Sequence, residues 1–261
     1  MRKACRAAAT VLDRLCGFVA PGVTTLELDE EGGRLMNGFG VTSACKGYRA
    51  GSKVFPAYTC LSVNDEIVHG IGRPNKSLKE GDIISVDVCI RCEGYIGDNC
   101  RTVAVGRISP ELERLLKVTE EAMYLGISRA VHKGRVGDVS SAVQTHAEAA
   151  GYGIVTNFVG HGVGQSLHEE PQIPNFGKSG SGPKFKKGMT VCIEPMVNMK
   201  DPKVRMGPDG WTALTMDGLP SAHFEHTVLI EDGQPEILTV PEGRESPEKF
   251  RAGPLAGFAN A

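Results

Sequence analysis

Two ten-residue segments constrain the fold of this chain more than anything else in it: LKEGDIISVD, ending at Asp87, and FKKGMTVCIE, ending at Glu194. Each passes from a basic stretch through a glycine into a strand-like run and places a carboxylate six residues after that glycine. A second pair, PGVTTL at 21–26 and KGRVGDV at 133–139, breaks a helix in the same manner. The offsets nearly agree, 107 between Gly81 and Gly188 and 112 between Gly22 and Gly134, which indicates an internal duplication. The expected fold is therefore α+β, two pseudo-symmetric α/β halves that bury their apolar faces together, with a site at their junction.

Local signals give the element order. Val11, Leu12, Leu15, Phe18 and Val19 form a helical stripe that Pro21 stops. Thr24 and Glu27 have the spacing of a capping box, and a second helix follows. From Ala57 the pattern turns to strands, AYTCLSVN, DIISVDVCI and YIGDNCRTVAV. Ser109 and Pro110 restart a helix as N-cap and first helical residue, and another runs from near Asp138 to Ala150. Strands return through 189–194, 211–215, 224–231 and 236–240. Residues 1–242 are expected to form a single domain, and the Pro-, Gly- and charge-rich end, 243–261, a flexible tail.

Composition excludes several classes. A chain of 261 residues, 41% of them hydrophobic, can bury a substantial core, yet it has no uncharged apolar run long enough to span a bilayer. Arg6, Asp13 and Arg14 interrupt what would be the apolar centre of a signal peptide, so the expected location is the cytoplasm, where eight cysteines are thiols, metal ligands or core filler. A net charge of −2 with signs interspersed leaves no nucleic-acid footprint, so small molecules or peptides are the expected ligands.

The segment VDVCIRCEGYIGDNCR, 86–101, crowds Cys89, Cys92 and Cys100 among Asp87 and Asp98. A two-residue turn at Glu93-Gly94 pairs Cys92 with Tyr95, Asp87 with Cys100 and Cys89 with Asp98, so both aspartates share one face. Their flanks read as buried, and two bare carboxylates there are costly unless a cation joins them. A cysteine zinc site would need four ligands, and the turn sends Cys92 away from the other two. Downstream, TVCIEPMV buries Glu194, AHFEHTVLI sets Glu225 before an apolar strand, and FVGHGVGQ holds His161 between glycines. Four carboxylates and one imidazole are neutralised by two divalent cations and suit hard or borderline ions. Cys89 is expected beside the aspartates but outside the ligand set.

SVNDEIVHGI, VDVCIRCEGYIGDNCRT, GHGVGQSLHEEP, GMTVCIEPMV and DGWTALT with HFEHTVLIEDG resemble, in order, the successive signatures of the type I methionine aminopeptidases in their short bacterial-like form. The resemblance runs from about residue 3 to residue 240. It implies the pita-bread fold, two pseudo-symmetric halves around an antiparallel sheet, and removal of the initiator methionine. Metal ligands would be Asp87, Asp98, His161, Glu194 and Glu225, with Asp98 and Glu225 bridging two ions drawn from Co, Mn, Fe(II), Zn or Ni. His69 and His168 would contact the substrate around the scissile bond, and Cys45, Tyr48, Phe55, Cys60 and Trp211 would line the methionine pocket. A water acidified between the ions would attack the scissile carbonyl, Glu194 would shuttle the proton, and a small second residue would be preferred. Substrates would be N-terminal Met peptides and nascent polypeptides, which puts the ribosome among the partners to consider; the family default is a monomer.

Four departures stand out. YRAGSKVFPAYTC is about four residues longer than the family's segment, Leu167 replaces an aromatic residue, Cys89 replaces a threonine, and Val68 replaces a cysteine seen in some bacterial members. An X-Pro aminopeptidase or prolidase would share the ligands but carry an extra N-terminal domain, for which the chain has no room. A binding protein on this fold would have lost ligands, and all five persist.

Overall fold

The computed structural model describes residues 1–244, so the tail expected over 243–261 lies, from residue 245 onward, outside the described residues. Four helices are present among them: α1 (Arg2–Cys16), α2 (Thr25–Gly38), α3 (Pro110–Arg129) and α4 (Val136–Ala149). Helix α1 stops well before Pro21: the chain turns at Gly17, a poor helix former, and Phe18 is left 48% exposed instead of extending the buried stripe. Helix α2 has its capping box, with Thr24 N–H donating to Glu27 Oε2 at 2.8 Å and Glu27 N–H to Thr24 Oγ1 at 3.2 Å. Ser109 caps α3 as expected. Helix α4 begins two residues before Asp138, because Asp138 sits at its third position and accepts from the N–H of Arg135 at the N-cap, 2.9 Å away.

The duplication is visible hydrogen bond by hydrogen bond. In the first half Gly22 N–H donates to Leu78 O and Leu78 N–H to Val23 O, both at 2.8 Å. In the second, Lys133 N–H donates to Phe185 O at 3.0 Å and Phe185 N–H to Gly134 O at 2.8 Å. Val23 therefore corresponds to Gly134, and the true helix offset is 111, one less than glycine-to-glycine matching suggests. The reason is a change of residue at the left-handed position: Gly22 (φ 92°) is matched by Lys133 (φ 69°), not by Gly134.

Ten strands matter for the site: β1 (Cys60–Val63), β2 (Glu66–Val68), β3 (Ile83–Cys92), β4 (Tyr95–Ala104), β5 (Gly160–Gly162), β6 (Glu169–Ile173), β7 (Thr190–Ile193), β8 (Met196–Asn198), β9 (Ala213–Thr215) and β10 (Ser221–Leu229). The main sheet runs β3-β4-β10-β7-β5-β6, with β1 on the outer side of β3 and β8 also on β10; every one of these pairings is antiparallel. Its middle pair, β4 and β10, joins the two halves. The β3–β4 register is the expected one, Cys92 opposite Tyr95 and Asp87 opposite Cys100, turned by Glu93 and Gly94 with φ of 50° and 82°.

Alternation gives the sheet two chemically different faces. On one, Val86, Val88 and Ile90 of β3 pack with Ala8, Val11 and Leu15 of α1, while Phe224 and Val228 of β10 pack with residues of α3 and α4. Helix α1 lies so close to the hairpin that a Cβ on Gly97 would come within 2.5 Å of the Ala4 backbone. With four helices covering that face, the other is free to carry polar groups.

Candidate metal centre

Register lines up the candidate ligands in two rows across the sheet. In the first, Cys60 of β1 faces Asp87 of β3, Asp87 faces Cys100 of β4, and Cys100 faces Glu225 of β10. The pairs Ile193 with His226 and Met196 with His223 then set Glu194 across from Glu225. In the second row Cys89 faces Asp98, Thr227 donates from Oγ1 to Asp98 O at 2.7 Å, Cys192 faces Thr227, and His161 follows on β5. The rows lie two residues apart, so all these side chains share the face opposite the helices. Pro195 supplies no N–H and interrupts the strand between β7 and β8, so Glu194 stands at a break in the ladder at the cavity floor.

Side-chain distances confirm the convergence. His161 Nε2 lies 3.3 Å from Glu194 Oε1 and 3.9 Å from Asp98 Oδ2, while His161 Nδ1 bonds Gly162 O at 3.0 Å. That last bond makes Nδ1 the donor and leaves Nε2 a free lone pair facing the carboxylates. Donor atoms of Asp98, His161, Cys192 and Glu225 lie within 4.8 Å of one another, and so do those of Asp87, Cys89 and Asp98. Asp98 belongs to both groups, and Glu225 to the first alone.

Electrostatically the cluster is unfinished as protein alone. Burial pushes Glu194 up to about 8; burial, then Asp98, holds Asp87 and Glu225 well above the usual carboxylate range, and burial does the same to Asp98. Burial, then the neighbouring His168, lowers His161 to about 4, so its imidazole is neutral at physiological pH. Asp98 Oδ1, Glu194 Oε1 and Glu225 Oε1 are buried without a hydrogen-bond partner. Orphaned oxygens on three of four crowded carboxylates, with a neutral imidazole, are the donor set that divalent cations satisfy, so the residues present fit a metal.

Above this floor opens a cavity of about 380 Å³, and all twelve residues singled out from sequence line it. Phe55 and Trp211 meet edge to face at 5.3 Å, with Cys45, Cys60 and Tyr48 packed in the same group, so the longer 48–60 segment still delivers Phe55 to the wall. Leu167 joins that group where an aromatic residue was expected. His168 stands with its ring 4.5 Å from that of His161, and Tyr48 Oη lies 2.9 Å from its Nδ1. His69 leaves β2 at φ 60°, a left-handed conformation that costs a non-glycine residue about 1–3 kcal/mol, and its ring packs on Phe158. The pairing of Val68 with Ala213 of β9 holds that turn in place.

His223 was missed from sequence. Its Nε2 lies 3.7 Å from Glu194 Oε2, has no hydrogen-bond partner and lines the cavity. The signal was in HFEH: a residue two positions before Glu225 in a strand shares its face. Cys192 was missed for the same reason, two positions before Glu194. As the turn at Glu93-Gly94 implies, Cys92 stands apart from Cys89 and Cys100, packed on the helix side with α1 and α2, and the eight cysteines are all free thiols.

The profile of metallopeptidase family M24 matches residues 1–232. The chain is 46% identical to methionine aminopeptidase A of Synechocystis sp. over 242 residues, covering 93% of this chain and 94% of that one. It is 43% identical to methionine aminopeptidase 1 of Bacillus subtilis over 239 residues, covering 92% and 94%. Among solved structures, the methionine aminopeptidase of Thermotoga maritima superposes with a TM-score of 0.88 at 42% identity, over 92% of this chain and 94% of that one. The prolidase of Pyrococcus furiosus shares the fold alone, with a TM-score of 0.73 at 21% identity over 92% of this chain and 63% of its own.

Proposed function

Because the chain belongs to metallopeptidase family M24, within its methionine aminopeptidases and on their pita-bread fold, we propose that it removes the initiator methionine from nascent proteins and peptides whose second residue is small. Residues 1–242 act as one catalytic domain, working in the cytoplasm as a monomer. The observation that carries the reading is the pair of carboxylate rows with orphaned oxygens at the floor of a cavity walled by Phe55, Trp211 and two thiols.

Asp87, Asp98, His161, Glu194 and Glu225 would hold two divalent ions, with Asp98 and Glu225 shared between them. When bound, such ions supply Lewis acidity, polarising the scissile carbonyl and making a water nucleophilic at neutral pH. The chain's own groups do the rest. Soft sulfur and aromatic edges accept the thioether of the methionine side chain. Glu194, held near a pKa of about 8 by burial before any ion neutralises it, has an oxygen able to take a proton and return it to the leaving amine. His168, fixed by Tyr48, presents Nε2 toward the developing oxyanion, and His69 positions the next peptide bond. His223 supports the Glu194 carboxylate from the side away from His161.

The test is release of methionine from Met-Ala-Ser and Met-Lys-Ser peptides by protein loaded with Mn, Co or Fe(II), beside Glu194→Gln. Cleavage of the first peptide only, falling about 10²–10⁴-fold in the variant, is expected. No release with any ion, or a fully active variant, overturns the assignment.

A further inference from the structure

One thiol at the centre is not used by the mechanism above. From sequence Cys89 is expected outside the ligand set, but the register sets it directly opposite Asp98 and two residues along the same strand face from Asp87. We propose that Cys89 supplies a thiolate to the ion held by Asp87 and Asp98, so that this position takes thiophilic divalent ions, Zn(II), Co(II) or Fe(II), ahead of Mn(II). The proposal rests on the two-ion reading above.

Three geometric facts carry it. Cys89 Sγ lies 3.4 Å from Asp87 Oδ1, and donor atoms of Asp87, Cys89 and Asp98 lie within 4.8 Å of one another. With metal–sulfur and metal–oxygen bonds of about 2.3 and 2.1 Å, one ion separates adjacent S and O ligands by about 3.1 Å at right angles and about 3.6 Å at the tetrahedral angle. The observed separation falls between those limits. The donor types also differ between the two ends. His161, Glu194 and Glu225 gather beside Asp98 at one end, whereas at the other the Cys89 thiol stands with Asp87 and Asp98, where its sulfur would add a soft ligand to the oxygens of Asp87, Asp98 and the shared Glu225.

The second thiol in ligand reach, Cys192, differs in exposure to the cavity. Its Sγ meets Thr227 Oγ1 at 3.6 Å, it is fully buried against Ile96 and Val163, and it does not line the cavity, whereas Cys89 does. Cys89 is also held in place: Ala44 N–H donates to its carbonyl at 2.9 Å, and its side chain packs in one buried cluster with Cys45 and Cys60. On binding, the Cys89 S–H bond breaks, the proton goes to solvent, and the sulfur lone pair forms the bond to the ion, with no change of oxidation state.

The experiment is titration of the metal-stripped full chain with Co(II), read by absorption. The expected result is a near-ultraviolet thiolate-to-cobalt charge-transfer band together with visible ligand-field bands, the former lost in Cys89→Thr and kept in Cys192→Ala. In competition between Zn(II) and Mn(II), the preference for zinc drops at least about tenfold in Cys89→Thr. Cys89→Ser gives the same reading should the threonine variant fail to fold. Cobalt bound with ligand-field bands but no charge-transfer band in the wild type overturns the role of Cys89 and leaves the two-ion centre standing, as does a band that survives in Cys89→Thr. No cobalt bound at all overturns both.

Discussion

Stripping the centre of cations creates a dependence of stability on pH whose size follows from burial. In the metal-free fold Glu194 keeps its proton up to about 8, whereas an unhindered glutamate ionises at 4.5. A folded-state pKa above the unfolded one gives stability that is complete at low pH and is lost as pH rises through the folded value. Burial has the opposite effect on His69, His161 and His223, lowering each to about 4 from 6.5. Those histidines favour the fold only above the unfolded value, and once pH passes about 6.5 they are neutral in both states and leave the balance. Between pH 6.5 and 8, then, the folded chain holds one more proton at Glu194 than the unfolded chain does. The slope is about 1.4 kcal/mol per pH unit, or about 2 kcal/mol across the window. Asp87, Asp98 and Glu225, raised in the same direction, add to it. For a domain of this size 2 kcal/mol corresponds to a fall of about 4–8 °C in Tm. Bound divalent ions offset the carboxylate charges and displace their protons, so the loaded protein should hold or gain Tm over the same range. Calorimetry of EDTA-dialysed and Co- or Mn-loaded protein from pH 6.5 to 8 measures both curves. A stripped protein whose Tm is flat or rises, or a loaded one that falls in parallel, refutes the reasoning.

Other perturbations test separate steps. Gly97→Ala forces a Cβ to within 2.5 Å of the Ala4 backbone and should cost about 3 kcal/mol in urea unfolding, as α1 is pushed off the hairpin. Trp211→Ala removes the ring that meets Phe55 in the pocket wall, and should lower kcat/KM for Met peptides about 10–100-fold, the equivalent of one buried aromatic contact surface. Lys133→Gly relieves the left-handed residue that replaced a glycine in the second half, and should stabilise the protein by about 0.5–1 kcal/mol in the same urea assay, with activity unchanged.

Much of this protein was legible in one dimension because its strongest signals are local or strictly periodic. The two-residue turn at Glu93-Gly94 sets the hairpin register, and with it the shared face of Asp87 and Asp98. Capping residues fixed where α2 and α3 begin, and the echo between LKEGDIISVD and FKKGMTVCIE announced two equivalent halves. The misreadings were also local in origin: α1 ended at Gly17 before the proline could stop it, and matching glycine to glycine hid the left-handed Lys133 by one residue. By itself the sequence thus determined element types, the β3–β4 register, the five candidate ligands and the resemblance that names their chemistry. What it could not determine is which strand docks beside β4. That choice comes from burying the apolar faces of both halves under four helices, a property of no single segment. Once β10 pairs there with Glu225 opposite Cys100, residues more than a hundred positions apart fall into two rows, and His223 and Cys192 arrive beside Glu194 and Glu225. Tertiary structure decided those neighbours because the free energy that sets them is collective burial, while the sequence states only what each residue would do on finding itself there.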